Sequence, residues 1–156
     1  MTSLPDTSTR VEQNTPDEHN LAIRARTDAD LMQLEGVSEA QLSARLDDLG
    51  REWDIERVLQ LNAAVIAGAG LLLGSRLDRR FLLLPAAVFS FLLQHALQGW
   101  CPPLPVFRRL GVRSAREIER HRYGVKALRG DFDDLPVPGR ASTARRVRAV
   151  LNAIDA

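Results

Sequence analysis

Two apolar runs joined by a short turn constrain this chain more than any other feature. VLQLNAAVIAGAGLLLG extends from Val58 to Gly74, and FLLLPAAVFSFLLQHAL from Phe81 to Leu97. Neither contains Asp, Glu, Lys or Arg, although 26% of the chain is charged. At the α-helical rise the first run covers about 25 Å, slightly less than the ~30 Å hydrocarbon core of a bilayer. Arg57 and Arg76 can snorkel to close that gap. The turn SRLDRR, Ser75 to Arg80, forces an antiparallel return. The pattern predicts an all-α protein built on a two-span transmembrane hairpin, with spans at 58–74 and 81–98 inside a hairpin segment 58–101.

A soluble helical interaction domain is the competing expectation. Two helices that are apolar on every face must then be covered by other elements. Only three segments show a partial apolar stripe: Ser38–Leu49, Ala115–Leu128 and Ala144–Ile154. They are too few to wrap two such helices, so the membrane reading is preferred.

Details inside the runs agree with lipid. Ala64/Gly68 and Gly70/Gly74 have the spacing that lets helix backbones approach closely, and they form the candidate helix-packing face. In water each such glycine weakens a helix by roughly 1 kcal/mol. Trp53 and Trp100 flank the hairpin on its open side and are the candidate interfacial anchors. Gln94, His95 and Gln98 are candidate polar contacts within the membrane. For His95 an interhelical hydrogen bond is favoured over a functional role.

The rest of the chain is polar and unevenly charged. Residues 1–56 hold thirteen acidic and five basic residues, net −8, whereas 57–156 hold seven acidic and sixteen basic residues, net +9. Residues 1–37, rich in Ser, Thr, Asn and acid, are expected to form a mostly disordered arm. Ser38 and Gln41 have capping-box spacing, and a cytoplasmic helix is expected over 38–57, leading into the membrane with a stop or bend at Gly50. Beyond Pro102 and Pro103, residues 102–156 read as a basic cytoplasmic tail with amphipathic helices, one opened by Ser114 and Glu117. Basic residues are more numerous at the termini than in the turn, which puts both termini on the cytoplasmic side. The tail lacks interleaved aromatics, so anionic lipid headgroups rather than nucleic acid are its expected partner.

The hairpin exit carries a resemblance. Leu73-Gly74 ends the first span and Gly99-Trp100-Cys101-Pro102 ends the second; REWDIERVL (Arg51 to Leu59) and YGVKALRGDF (Tyr123 to Phe132) flank them. In these features the chain resembles the YgaP-like transmembrane domain family, a bacterial inner-membrane domain of unknown function, over roughly residues 51–132. In some relatives the hairpin anchors and dimerises a rhodanese. Here the only cysteine lies in the hairpin exit, so no rhodanese active-site loop is present.

Cys101 is the candidate reactive thiol, with Arg108 and Arg109 near enough in sequence to favour a thiolate. The alternative is an inert residue packed at the helix end. His95 and Cys101 are poorly spaced as ligands on one chain, with a helix break between them. No catalytic, metal-binding or cofactor-binding residue is assigned. The resulting expectation is a small, non-enzymatic bacterial inner-membrane protein that self-associates as a scaffold or anchor. A second expectation is an accessory in thiol or sulfur chemistry that presents Cys101 to a partner enzyme.

Overall fold

The computed structural model describes residues 5–156 of the chain. Its regular elements are helical, with no strand among the described residues: α1 (Arg10–Gln13), α2 (Asp17–Gln33), α3 (Glu39–Arg51), α4 (Ile55–Arg76), a 3₁₀ turn (Arg79–Leu82), α5 (Leu83–Gln98), α6 (Leu104–Arg109), α7 (Ala115–Arg129) and α8 (Thr143–Asp155). The chain divides into two units. One takes the described residues up to Arg26 together with Trp53–Ile118, and the other takes Thr27–Glu52 with Glu119–Ala156.

The first unit is built on the α4–α5 hairpin. Asp54 opens α4 by accepting a hydrogen bond from the Arg57 amide at 2.8 Å, while the Ile55 amide, which has no partner within the helix, donates to the Arg113 carbonyl at 2.8 Å. Asp78 caps the 3₁₀ turn in the same way through the Arg80 amide. Pro85 is tolerated because it lies in the first turn of α5, where an amide has no intrahelical acceptor. The helices meet across glycine. A Cβ on Gly70 would stand 2.6 Å from Pro85 Cδ, and one on Gly74 2.6 Å from Leu82 Cδ2.

The hairpin turns small residues inward and large apolar residues outward. Ala63, Ala67, Gly70 and Gly74 are buried, whereas Leu61, Val65, Leu72, Leu83, Phe89 and Leu93 are exposed. Below this, a compact apolar cluster of Val11, Ile55, Leu59, Cys101 and Leu104 is flanked by Trp100, Phe107 and Val112.

The second unit has the reverse pattern. Leu42, Leu46 and Leu49 of α3 pack with Val125 of α7, and Leu31, Leu34 and Val37 close the cluster. Ser38 and Gln41 form the expected capping box at the start of α3. Gly124 permits a close approach, since a Cβ there would stand 2.8 Å from Leu31 Cδ1. Lys126 is buried and donates from Nζ to the Ile154 carbonyl at 2.7 Å, placing a cation at the negative end of α8.

Several boundaries differ from the sequence expectation. The arm expected to be disordered over 1–37 carries α1 and α2 among its described residues; its first four positions lie outside them. The reason is tertiary. Val11, Thr15, Asn20, Ile23 and Thr27 are all buried, and Thr15 and Asn20 hold a distant arginine. The stop or bend expected at Gly50 within 38–57 is a full break after Arg51, because Glu52 is extended at φ −65°, ψ 136° and Asp54 begins a new N-cap. In the tail, α7 begins at the Ser114–Glu117 pair as expected, with each backbone amide donating to the other side chain.

Candidate functional site: a buried polar cluster at the base of the hairpin

Antiparallel return brings the end of α5 beside the start of α4. Glu56 stands in the first turn of α4 and His95 in the last turn of α5. The two meet with His95 Nε2 at 3.0 Å from Glu56 Oε2. The other carboxylate oxygen, Oε1, accepts from Arg10 Nη2 at 2.9 Å. Arg10 belongs to α1, in the arm that sequence reasoning left without structure.

The exit from α5 completes the cluster. Gly99 adopts φ +78°, a left-handed conformation that favours glycine, and its amide closes the helix on the His95 carbonyl. A Cβ there would also stand 2.7 Å from the Arg10 carbonyl oxygen. This turn folds Trp100 and Cys101 back toward the hairpin. The Cys101 thiol comes beside the imidazole of His95. His95 is 4% exposed and Cys101 5%. Nδ1 of His95 is buried and makes no hydrogen bond of acceptable geometry to any neighbour.

A cavity of about 240 Å³ between α4 and α5 ends on this pair. Leu59, Ile66, Val88, Phe91 and Leu92 form its walls, and Asn62, His95 and Cys101 supply its polar lining. A carboxylate can only accept, so Glu56 fixes the Nε2–H tautomer in neutral imidazole and leaves the Nδ1 lone pair free to take a proton. A nucleophile, a base and a group orienting that base are the components of an activated thiol.

The structure therefore joins two residues whose sequence spacing argued against partnership. Six positions across a helix break place His95 and Cys101 together because the break is a tight left-handed turn. Glu56 and Arg10 were missed. Glu56 had one visible signal: an acidic residue just before an apolar run, at the level to which the second helix returns.

The other sequence candidates occupy different places. Gln94 is half-buried and Gln98 exposed; the Gln98 backbone carbonyl accepts from Asn14 Nδ2 at 2.7 Å. Gly70 and Gly74 pack against the second helical segment, whereas Ala64 is exposed and a Cβ on Gly68 would meet open space. Trp53 is exposed, with the Arg57 guanidinium 4.2 Å over its ring, and Trp100 packs on the apolar cluster.

Arg108 does not serve the thiol. It is buried and turned onto Glu117 through two hydrogen bonds of 2.7 and 2.8 Å, and it also donates to Asn20 Oδ1, Thr15 Oγ1 and the Val112 carbonyl. Burial pushes the Glu117 carboxyl up, but hydrogen bonds from Arg108 and Ser114 outweigh it and hold the group below the usual carboxylate range. Among the described residues no group of three or more His, Cys, Asp or Glu side chains is arranged to hold a metal ion. The chain matches no family model, no curated protein and no solved structure.

Proposed function

We propose that this chain is a bacterial inner-membrane hairpin protein that acts as a self-associating anchor or scaffold. One observation carries the reading: α4 and α5 turn most of their large apolar side chains outward while His95 is buried and pairs with the half-buried Glu56. A water-soluble bundle buries such side chains; lipid leaves them no reason to hide. The helical stretch that ends at Arg76 and the stretch Arg79–Gln98, the 3₁₀ turn with α5, are each long and apolar enough to cross a bilayer. On this reading the chain is a relative of the YgaP-like hairpins.

The membrane sets the remaining expectations. Both termini lie in the cytoplasm, on the side with more arginine. Helix α8 keeps Val147, Leu151 and Ile154 exposed beside Arg145, Arg146 and Arg148, which suits an interfacial helix on anionic headgroups. Self-association uses the outward Ala64–Gly68 face, since Gly70 and Gly74 are occupied within the hairpin.

Membrane fractionation with an alkaline wash tests the core of the proposal. Recovery in the washed pellet is expected, and release into the supernatant without detergent overturns it. Protease cleavage of the termini in inverted vesicles is the expected result for the topology. Gly68→Leu is expected to abolish crosslinked dimers while leaving the protein in the pellet.

A further inference from the structure

We infer that the hairpin cavity is an S-acylation site in which Cys101 accepts a long-chain fatty acyl group from an acyl thioester and the chain lies in the groove between α4 and α5. Three observations meet there. The thiol lines the polar end of the cavity beside His95. The imidazole is almost wholly buried, lines the same cavity, and keeps Nδ1 without a hydrogen bond of acceptable geometry. The walls running away from that end, including Leu59, Val88, Phe91 and Leu92, offer an unbranched chain apolar contact interrupted only by Asn62.

The chemistry closes without a further reagent. His95 Nδ1 takes the thiol proton while Glu56 holds the resulting imidazolium through Nε2. The Cys101 sulfur attacks the carbonyl carbon of the donor thioester, forming a new C–S bond. The tetrahedral intermediate breaks the original C–S bond, and the departing thiolate recovers the proton from His95. The products are an acyl-Cys101 thioester and the free donor thiol; nothing is oxidised or reduced. Disulfide chemistry within the chain is excluded because Cys101 has no second cysteine to pair with. A buried thiol facing an apolar groove also suits a hydrophobic acyl donor better than a polar sulfur donor.

The inference reaches beyond the anchor reading and can fail separately from it. The full-length protein, purified in detergent, is incubated with palmitoyl-coenzyme A near neutral pH and followed by intact mass. A single hydroxylamine-labile palmitoyl adduct is expected, absent in Cys101→Ser and formed at least ~100-fold more slowly in His95→Gln, the usual contribution of a positioned base. Val88→Trp fills the groove without touching the polar end, so it is expected to suppress palmitoylation while iodoacetamide still alkylates Cys101. No adduct on the native protein overturns the inference. So does an undiminished rate in His95→Gln or in Val88→Trp, the second variant serving where the first fails to fold. Acylation of a protein recovered without detergent would sink the membrane reading alone, and a membrane-embedded protein that does not acylate would sink this one alone.

Discussion

The hairpin and the second unit use much the same residues in opposite ways. In the second unit Leu42, Leu46 and Leu49 are buried while Asp47, Asp48 and Arg51 face out. In α4 and α5 most large apolar side chains face out, Ile55 and Leu59 at the base apart, and the inside belongs to Ala63, Ala67, two glycines and His95, which pairs with the half-buried Glu56. Water drives the first arrangement, at roughly 25 cal/mol for each Å² of apolar surface removed. Where the surroundings are already apolar that drive vanishes, and close backbone contact with internally satisfied polar groups sorts the side chains instead. On the proposed membrane reading, the contrast teaches that the same residue type answers to its solvent: the buried leucines answer to water and the exposed ones to lipid.

Removing an internal ionic partner has the largest expected effect. Arg108→Ala strands the Glu117 carboxylate together with Asn20 Oδ1, and a loss of about 3–5 kcal/mol is expected for an uncompensated buried charge. Denaturant unfolding in detergent measures it, and a shift below about 1 kcal/mol would remove this network from the stabilising framework of the hairpin unit. A matched pair of leucines tests the contrast directly. Leu49→Ala, at a site 1% exposed, is expected to cost roughly 2–5 kcal/mol, whereas Leu61→Ala, at a site 51% exposed, should stay within about 0.5 kcal/mol. Equal costs would break the comparison.

Acid sharpens it further. Glu117 titrates below its ordinary value in the folded state, so the unfolded chain binds the proton more readily. The stability it contributes is full above about pH 4.3, the ordinary value for a glutamate, and is lost as pH falls through the folded value. Unfolding curves of the native protein should weaken below that point, and Glu117→Gln should flatten the dependence. The smallest effect belongs to Ser38→Ala, which removes one half of the α3 capping box for about 1 kcal/mol. Thermal unfolding followed by circular dichroism checks it; a cost near zero would mean that tertiary packing alone starts α3.

Legibility followed the range of the interaction. The capping pairs at Ser38–Gln41 and Ser114–Glu117 could be read because donor and acceptor lie three residues apart. The apolar runs could be read because composition alone reveals them. Helix α2 could not: its buried side includes Asn20 and Thr27 as well as Ile23, so no clean apolar stripe appears in its sequence. Asn20 donates to the Glu12 and Thr15 carbonyls, and its Oδ1 accepts from Arg108, which is 88 positions away. Gly50 announced a stop or bend, but the new start at Asp54 did not show, since Asp54 looks like one more charge in a charged helix until its side chain is seen on the Arg57 amide.

The candidate site divides along the same line. The sequence by itself determined that two apolar helices return on each other, that small residues line one of them, and that a lone cysteine follows a glycine at the exit. Those are properties of composition and local conformation. Only the tertiary structure decided that Glu56 meets His95, that Arg10 reaches across to the same carboxylate, and that the left-handed turn at Gly99 folds Cys101 against the imidazole. A hydrogen bond has a reach of about 3 Å whatever the separation along the chain, so such partners become visible only after the backbone has brought them together.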